Sequence, residues 1–328
     1  MQALLLPGPL LGALLTALCL LWALWVGALF AFRRRADLKT GAVRDFLFPG
    51  LVLLIAVTWA MVDPNGALGR FLDIYARFGL IVLAFMTLTW CISLMMRDSS
   101  IMDIVYPLTA LLPLAILLSK RNTWSPHELV LLGIVALWSL RLSVHIAWRN
   151  LGHGEDARYA GWRRRFGALW WWWSYFQVFA LRGVLVWLWC LPIALALHAS
   201  PRGFGWQHLL AGTVFIVGFV FQAGGDWQLE RFKRMRRDRA EVLTTGLWSV
   251  TRHPNYFGEA VMWWSFRILS LVNPWGWASV AAPLYVTWFM AKGSATPMQD
   301  RYLTKTKPGY AAYAERVPTF FPWSRTGA

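Results

Sequence analysis

Residues 78–96 read FGLIVLAFMTLTWCISLMM, nineteen consecutive positions without a charged side chain. A helix of this length rises roughly 30 Å, which is about the thickness of the hydrocarbon core of a bilayer. Lipid offers no hydrogen-bond partner to backbone N–H and C=O groups, so an apolar stretch satisfies them there by forming an α-helix. The stretch therefore predicts a membrane-spanning helix.

Apolar runs of similar length recur along the whole chain. Its 328 residues are 58% hydrophobic and 15% charged, whereas a soluble domain carries about 25% charged residues. The pattern predicts an all-α fold, a polytopic integral membrane bundle of about nine transmembrane helices, with seven to ten compatible with the pattern. The predicted spans are 4–32, 46–62, 78–96, 101–118, 129–147, 169–197, 207–229, 256–272 and 275–291.

The first run is predicted to be a retained span. It is too long for a signal-peptide core, and it ends in Arg33-Arg34-Arg35 rather than in a small-residue cleavage site. The span at 169–197 is long enough to tilt strongly or to break near Arg182-Gly183. The sequence contains no low-complexity linker and no convincing repeat, so one membrane domain is the simplest organisation.

The basic residues indicate the orientation of the chain. The loops on one side hold 24 Lys and Arg residues and those on the other hold 5. Since cytoplasmic loops carry the excess of Lys and Arg, the N-terminus is predicted to lie outside and the C-terminus in the cytoplasm. The net charge of +16 is explained by this loop distribution, and nucleic acid is not predicted as a partner.

Metal-ligand and disulfide patterns are not found in the sequence. The cysteines Cys19, Cys91 and Cys190 fall within apolar runs and are predicted to be small buried residues. The six histidines are scattered, and no pair has the four-residue spacing of a metal-binding helix. No metal site is therefore predicted.

Several polar residues lie within apolar runs or at their inner ends. A charged group at such depth costs roughly 2.5–3.5 kcal/mol on insertion scales, so it usually faces a cavity or a partner. One interpretation is internal ion pairing that joins helices, for instance between Asp103 and Arg141; the other is a polar site near the cytoplasmic end of the bundle. The residues are Asp103, Arg141, His145, Arg182, Asp226, Glu259 and Arg267.

Two inner segments carry most of the remaining polar chemistry. Residues 149–159 form a loop with two glycines, which is either a solvated connector or a source of hydrogen bonds for a polar ligand. Residues 244–259 read TTGLWSVTRHPNYFGE. Pro254 suits the first position of a helix, and the helix N-terminus beside Arg252 predicts an anion site. The basic run at 231–239 adds positive charge to that site or contacts acidic lipid head groups.

Five blocks of the sequence, in order and spacing, resemble the steroid 5α-reductase superfamily, and most closely its bacterial branch of uncharacterised membrane proteins. The resemblance covers roughly residues 98–322 and divides the chain into N-terminal transmembrane helices over 1–97, which vary in the family, and a reductase-like core over 98–328 with a cytoplasmic tail. The blocks are DSSIMD at 98–103, LWSLRL at 137–142, EDARY at 155–159, GDWQL at 225–229, and KPGY at 307–310 with Tyr313.

The resemblance implies an NADPH site open to the cytoplasm and a flat hydrophobic enone that enters from the bilayer. It implies that Asp103 engages the substrate carbonyl. The family's assisting Tyr falls near Trp138, which has no hydroxyl, so Tyr106 and Tyr159 are the replacements. Asp300 stands where the branch usually has Glu. By the resemblance, Asp226, Asn255 and Glu259 fall on cofactor-contacting positions of the family, and Arg252, His253 and Tyr256 belong to the branch's form of the same turn. The full set of predicted cofactor-binding residues also includes the polar and basic residues Arg141, Glu155, Asp156, Arg158, Arg231 and Lys233.

The sequence thus predicts a multi-pass protein of the bacterial inner membrane that acts in lipid metabolism. The predicted activity is NADPH-dependent reduction of a C=C bond conjugated to a carbonyl in a sterol-like or isoprenoid lipid. Two alternatives stay open. The Arg252-His253-Pro254 turn and the pattern Tyr310-x-x-Tyr313 also fit an S-adenosylmethionine-dependent methyltransferase of the isoprenylcysteine type. The other alternative is a non-catalytic lipid-binding membrane protein.

Overall fold

The structure, a computed structural model, describes residues 66–199, 203–293 and 295–322. These residues are 80% helical, and none of them forms a β-strand. The predicted all-α fold class is confirmed. The spans predicted at 4–32 and 46–62, and nearly all of the predicted N-terminal region, lie outside the described residues.

The described chain forms two compact units, residues 66–124 with 135–194 and residues 125–134 with 195–322. Long helix α4 contributes to both units, and the short helix α8 does so as well. The helices, in chain order, are α1 Ala67–Met96, α2 Ile101–Val105, α3 Leu108–Ser119, α4 Pro126–Asn150, α5 Ala157–Phe166, α6 Trp170–Ser174, α7 Leu181–Trp189, α8 Leu191–Ala199, α9 Trp206–Met235, α10 Pro254–Ser270, α11 Ala281–Trp288, α12 Ala295–Thr306 and α13 Tyr310–Arg316.

Two predicted spans of the first unit are interrupted by proline. The span predicted at 101–118 ends at Val105 and resumes at Leu108, because Pro107 has no N–H to donate to the preceding turn. The span predicted at 169–197 bends by 46° at Cys190 and not near Arg182-Gly183, since Pro192 cannot donate to the turn before it. A π-helical turn at Tyr175–Ala180 precedes the bend.

The second unit is built around α9 and α10, which pack closely along much of their length. Their approach depends on glycine: a Cβ on Gly258 would lie 2.4 Å from the backbone N of Gln222 and from the carbonyl oxygen of Gly218. The helix α10 begins at Pro254, as the sequence predicts, because proline lacks only an N–H that the first turn leaves unused.

Three described helices, α1, α4 and α9, are long and apolar enough to cross a membrane, and the bent pair ending in α8 makes a fourth. Helix α1 begins at Ala67, eleven residues before the predicted start, so most of the loop predicted at 63–77 is helical. Helix α3 is apolar but shorter, and α10, with 17 residues, does not reach the length of a span. The protein is therefore a multi-pass membrane protein, and the predicted count of nine spans stays a prediction.

Candidate functional site

Asp103, Arg158 and Tyr159 meet in the first unit and are here called the Asp103 cluster. The guanidinium Nη2 of Arg158 donates to Oδ2 of Asp103 at 2.7 Å, and the hydroxyl of Tyr159 donates to Oδ1 at 2.9 Å. Asp103 and Tyr159 are buried, with 8% and 3% of their surface exposed. The carboxylate of Asp103 therefore accepts one hydrogen bond on each oxygen, one of them a charge-assisted bond from a guanidinium.

Local structure explains how the cluster is assembled. Asp156 caps the N-terminus of α5 by accepting from the backbone N–H of Arg158 at 2.9 Å, and the same carboxylate accepts from Nε of Arg158 at 2.9 Å. The cap fixes the first turn of α5 and so directs Arg158 and Tyr159 toward Asp103 on α2. The ionic partner of Asp103 is thus Arg158, and the pairing of Asp103 with Arg141 suggested by the sequence is wrong.

Glu155, just before α5, connects this helix to the segment that precedes α2. Its carboxylate accepts two hydrogen bonds from Arg163, at 2.8 and 2.9 Å, and one from the backbone N–H of Ser99 at 2.8 Å. Burial works to raise the pKa of Glu155, but the hydrogen bonds and charge of Arg163 outweigh it and lower the pKa. The loop predicted at 149–159 is therefore tied to the start of α2, and its last residues belong to α5.

Aromatic rings surround the Asp103 cluster. The ring of Tyr159 makes an edge contact with Trp162 at 5.6 Å, and both belong to a core that contains Trp170 and Trp173. Tyr106 packs against that core, and the guanidinium of Arg182 lies 5.2 Å from its ring centroid. Both tyrosines that the sequence offers as proton donors therefore border one hydrophobic region, and the hydroxyl of Tyr159 lies on Asp103.

Arg252, His253, Asp300 and Tyr310 meet in the second unit and are here called the Asp300 cluster. Oδ1 of Asp300 lies 2.7 Å from Nε2 of His253 and also accepts from the hydroxyl of Tyr310; Oδ2 lies 3.2 Å from Nη1 of Arg252. Burial works to raise the pKa of Asp300. Hydrogen bonds from His253 and Tyr310 and the nearby positive charge outweigh burial and lower it.

The end of the described chain is hydrogen-bonded to the turn before α10. The backbone N–H of Arg252 donates to the carbonyl of Pro318 at 2.9 Å, and its Nη2 donates to the hydroxyl of Thr319. Thr251 donates to the carbonyl of Phe320 at 2.9 Å. Residues 317–320 and Asp300 therefore hold Arg252 from two directions.

Four polar side chains face one another across α9 and α10. Asn255 donates to Asp226 at 3.0 Å, and one helical turn further along the amide of Gln222 donates to Glu259. The indole N–H of Trp263 donates to the other oxygen of Glu259 at 2.9 Å. The structure thus brings together three of the predicted cofactor residues, each held by a neighbouring side chain.

The remaining predicted residues have separate surroundings. Tyr256 stacks on the ring of His253 at 5.3 Å, next to the Asp300 cluster. The guanidinium of Arg231 lies 5.4 Å from the ring of Trp227, and Lys233 pairs with Glu230 at 2.7 Å, both near the end of α9. Arg141 is half-buried in α4.

Sequence reasoning did not assign roles to Gln222, Trp263, Arg163 or Thr319. The spacing contains a signal for the first, because Gln222 and Asp226 stand four residues apart, as Asn255 and Glu259 do, and so face each other on paired helices. Nothing in the sequence places Thr319 on Arg252, since that contact depends on the path of the chain end. Among the residues that the structure describes, no group of three or more His, Cys, Asp or Glu side chains has the arrangement of a metal site.

Comparison with known proteins places most of the chain in one family. The family described as protein of unknown function DUF1295 matches residues 89–317, more than two thirds of the chain. An uncharacterized protein of Schizosaccharomyces pombe is 24% identical over 265 residues, which are 71% of this chain and 75% of that protein.

Two relatives with enzyme names match shorter segments. A steroid 5-alpha-reductase of Arabidopsis thaliana is 30% identical over 88 residues, 27% of this chain and 32% of the reductase. The Delta(14)-sterol reductase of Gallus gallus is 27% identical over 157 residues, 42% of this chain and 23% of that protein. The chain thus spans about a third or less of the length of these enzymes. The weak similarity agrees with the predicted superfamily, and no solved structure matches the chain significantly.

Proposed function

Because the chain belongs to the DUF1295 family and is distantly similar to two reductases of sterols and steroids, we propose that it is a membrane-embedded, NADPH-dependent reductase. The proposed reaction reduces a C=C bond conjugated to a carbonyl in a sterol-like or isoprenoid lipid that enters from the bilayer. In this proposal the protein belongs to the bacterial branch of the superfamily and to the inner membrane. Its N-terminus lies outside and its C-terminus in the cytoplasm.

The observation that carries the proposal is the Asp103 cluster. Reduction of an enone places negative charge on the carbonyl oxygen, and a fixed hydrogen-bond donor in a buried setting stabilises that charge. The hydroxyl of Tyr159, held by Asp103 and bordered by tryptophan rings, is such a donor once its O–H turns from the carboxylate to the substrate oxygen. Arg158 holds Oδ2 of Asp103, which leaves Oδ1 to orient the Tyr159 hydroxyl.

The Asp300 cluster suits the anionic part of the cofactor. The Nε of Arg252 is buried and has no hydrogen-bond partner among the residues that the structure describes, although both Nη atoms are engaged. A buried unpaired donor is costly, and in this proposal a phosphate oxygen bound beside the N-terminus of α10 accepts from this N–H. Asn255 and Glu259 would contact the polar parts of the same ligand. When bound, NADPH supplies the hydride.

The predicted cofactor-binding residues differ in the contacts that they make in the structure. Glu155, Asp156 and Arg158 are engaged in the helix cap and ion pairs around Asp103, which explains their presence without a ligand. Arg141, Arg231 and Lys233 stay predictions of the sequence alone. The other six form three groups in the second unit: Arg252, His253 and Tyr256 lie at the Asp300 cluster, Asn255 bonds to Asp226, and Glu259 bonds to Gln222 and Trp263.

A methyltransferase is the second candidate function, and one observation favours it. The Arg252-His253-Pro254 turn and Tyr310 meet on Asp300, so the two parts of the pattern shared with isoprenylcysteine-type enzymes form one structural unit. S-adenosylmethionine carries no phosphate, so the two functions differ in the anion that Arg252 would bind. A lipid-binding protein without activity would bind neither cofactor.

Binding measurements on the purified protein in detergent test the proposal. We expect NADPH to raise the melting temperature and S-adenosylmethionine to leave it unchanged. Arg252→Ala and Asn255→Ala should weaken NADPH binding by roughly tenfold to a hundredfold, because each loses a contact to a charged or polar ligand group. Arg316→Ala, which removes an exposed arginine bonded to its own helix, is the matched control. Stabilisation by S-adenosylmethionine alone would replace the reductase with the methyltransferase.

A further inference from the structure

The Asp300 carboxylate joins three elements of the second unit at one point. It contacts Arg252 and His253, which precede α10, and it also accepts from Tyr310 at the start of α13, while Asp300 itself lies on α12. Arg252 thereby has one Nη on Asp300 and the other on Thr319. The guanidinium is held through both Nη atoms, and its Nε has no hydrogen-bond partner among the described residues.

The same carboxylate sets the protonation pattern of His253. An ionised carboxylate is only an acceptor, so the nitrogen of His253 that faces it, Nε2, carries the hydrogen. In the neutral ring Nδ1 is then the acceptor. The ring plane is also fixed, because it stacks on Tyr256 at an interplanar angle of 4°. Two neighbouring side chains thus take their orientation from one acidic group.

We propose that Asp300 is the positioning residue of the anion site at the start of α10, acting through Arg252 and His253, with Tyr310 as its support. The inference rests on the proposed function only for the identity of the anion, the phosphate groups of NADPH. Asp300 does not itself contact the anion, because both are negatively charged. It holds the guanidinium so that Nε is presented to the ligand.

The inference is testable because two possible roles of Asp300 predict opposite changes in anion affinity for Asp300→Asn. One role is neutralisation of nearby positive charge, and the other is positioning of Arg252 and His253. If Asp300 only neutralised Arg252 and His253, Asp300→Asn would release positive charge and strengthen anion binding. If Asp300 positions them, the variant loses an ionic contact to Arg252, turns an amide N–H toward a donor, and weakens anion binding. We expect NADPH affinity to fall about tenfold in Asp300→Asn and to recover in part in Asp300→Glu, which restores the charge.

Tyr310→Phe is the second variant, and it keeps the test valid if Asp300→Asn does not fold. It removes one donor to Asp300 and should lower NADPH affinity by a smaller factor. Tyr313→Phe is its matched control, because the hydroxyl of Tyr313 donates to the carbonyl of Trp248 and not to Asp300. Glu315→Gln removes an exposed acid from the same helix as a control for charge alone.

Titration calorimetry with NADPH on the wild type and these variants decides the question. Weaker binding in Asp300→Asn and Tyr310→Phe, with both controls unchanged, supports the inference; equal or stronger binding in Asp300→Asn overturns it. If the wild type binds no NADPH, the proposed function fails, and the same series is measured with pyrophosphate. The inference survives that failure only if pyrophosphate binds the wild type and binds Asp300→Asn more weakly; a wild type that binds neither anion overturns it as well.

Discussion

The indole N–H of Trp263 donates a 2.9 Å hydrogen bond to Oε1 of Glu259, which lies four residues earlier on the same helix. The amide of Gln222 on α9 donates to Oε2. Glu259 is buried in α10, and both oxygens of its carboxylate accept hydrogen bonds from neutral N–H groups. Substitutions of Glu259 can therefore distinguish a role in stabilising the fold from a role in binding a ligand.

We expect Glu259→Gln to leave the melting temperature of the ligand-free protein nearly unchanged. The glutamine keeps one acceptor for Trp263, and the amide of Gln222 can turn its oxygen toward the new N–H group. Glu259→Leu removes the hydrogen bonds that Trp263 and Gln222 donate to the carboxylate, and should lower the melting temperature below that of Glu259→Gln. Thermal unfolding in detergent measures both variants.

The NADPH-induced change in melting temperature of the same variants tests whether Glu259 contacts the cofactor. In the proposed function, Glu259→Gln loses most of the stabilisation that NADPH gives to the wild type, because the charged acceptor is gone. A large loss of stability without ligand, combined with a normal NADPH-induced shift, would contradict the assignment. Glu259 would then serve only to join α9 and α10.

Tyr159→Phe tests the Asp103 cluster. The variant keeps the ring that packs against Trp162 but removes the hydroxyl that we assign to the substrate carbonyl. We expect reductase activity to fall by roughly a hundredfold to a thousandfold, as for the loss of one donor to an oxyanion. Tyr175→Phe is the control and should retain activity, because the wild-type hydroxyl of Tyr175 contacts Thr87 of the same unit and not Asp103. Equal activities of the two variants would remove Tyr159 from the mechanism.

The fold class and several polar residues of the second unit were predictable from the sequence. The exact helix ends and the hydrogen-bond partners of individual side chains were harder to predict. Length and hydropathy decide that a run such as 78–96 is a helix, and Pro254 marks the start of α10. The interruption at Pro107 follows from a residue visible in the sequence, but hydropathy alone conceals it. The pairing of Asp103 with Arg158 depends on the cap at Asp156, which spacing does not reveal.

The pH dependence of stability reports on Asp300. Because its pKa in the folded state lies below the ordinary value of about 3.9, the carboxylate stabilises the fold fully above that value. The contribution is lost as the pH falls through the lower folded-state pKa. As the pH falls below about 4, the wild type should therefore lose more stability than Asp300→Asn. Glu315→Gln should follow the wild type, and parallel curves for wild type and Asp300→Asn would contradict the shift.

The predicted orientation is tested with single cysteines in a background without the native ones. Ala160→Cys and Ala240→Cys should react with an impermeant maleimide only after the cytoplasmic side is opened, since their loops hold the excess of basic residues. Thr123→Cys should react from outside. Labelling of positions 123 and 240 from the same side would contradict the predicted arrangement of spans.

Transfer of the hydride itself tests the central claim most directly. The purified protein is incubated with NADPH deuterated at the transferred position and with an isoprenoid or sterol enone in lipid, and the product is analysed by mass spectrometry. The proposed function predicts a saturated ketone that carries one deuterium on the β-carbon, formed by the wild type and hardly at all by Tyr159→Phe. A lipid recovered without deuterium, or one that instead gains a methyl group from S-adenosylmethionine, would contradict it.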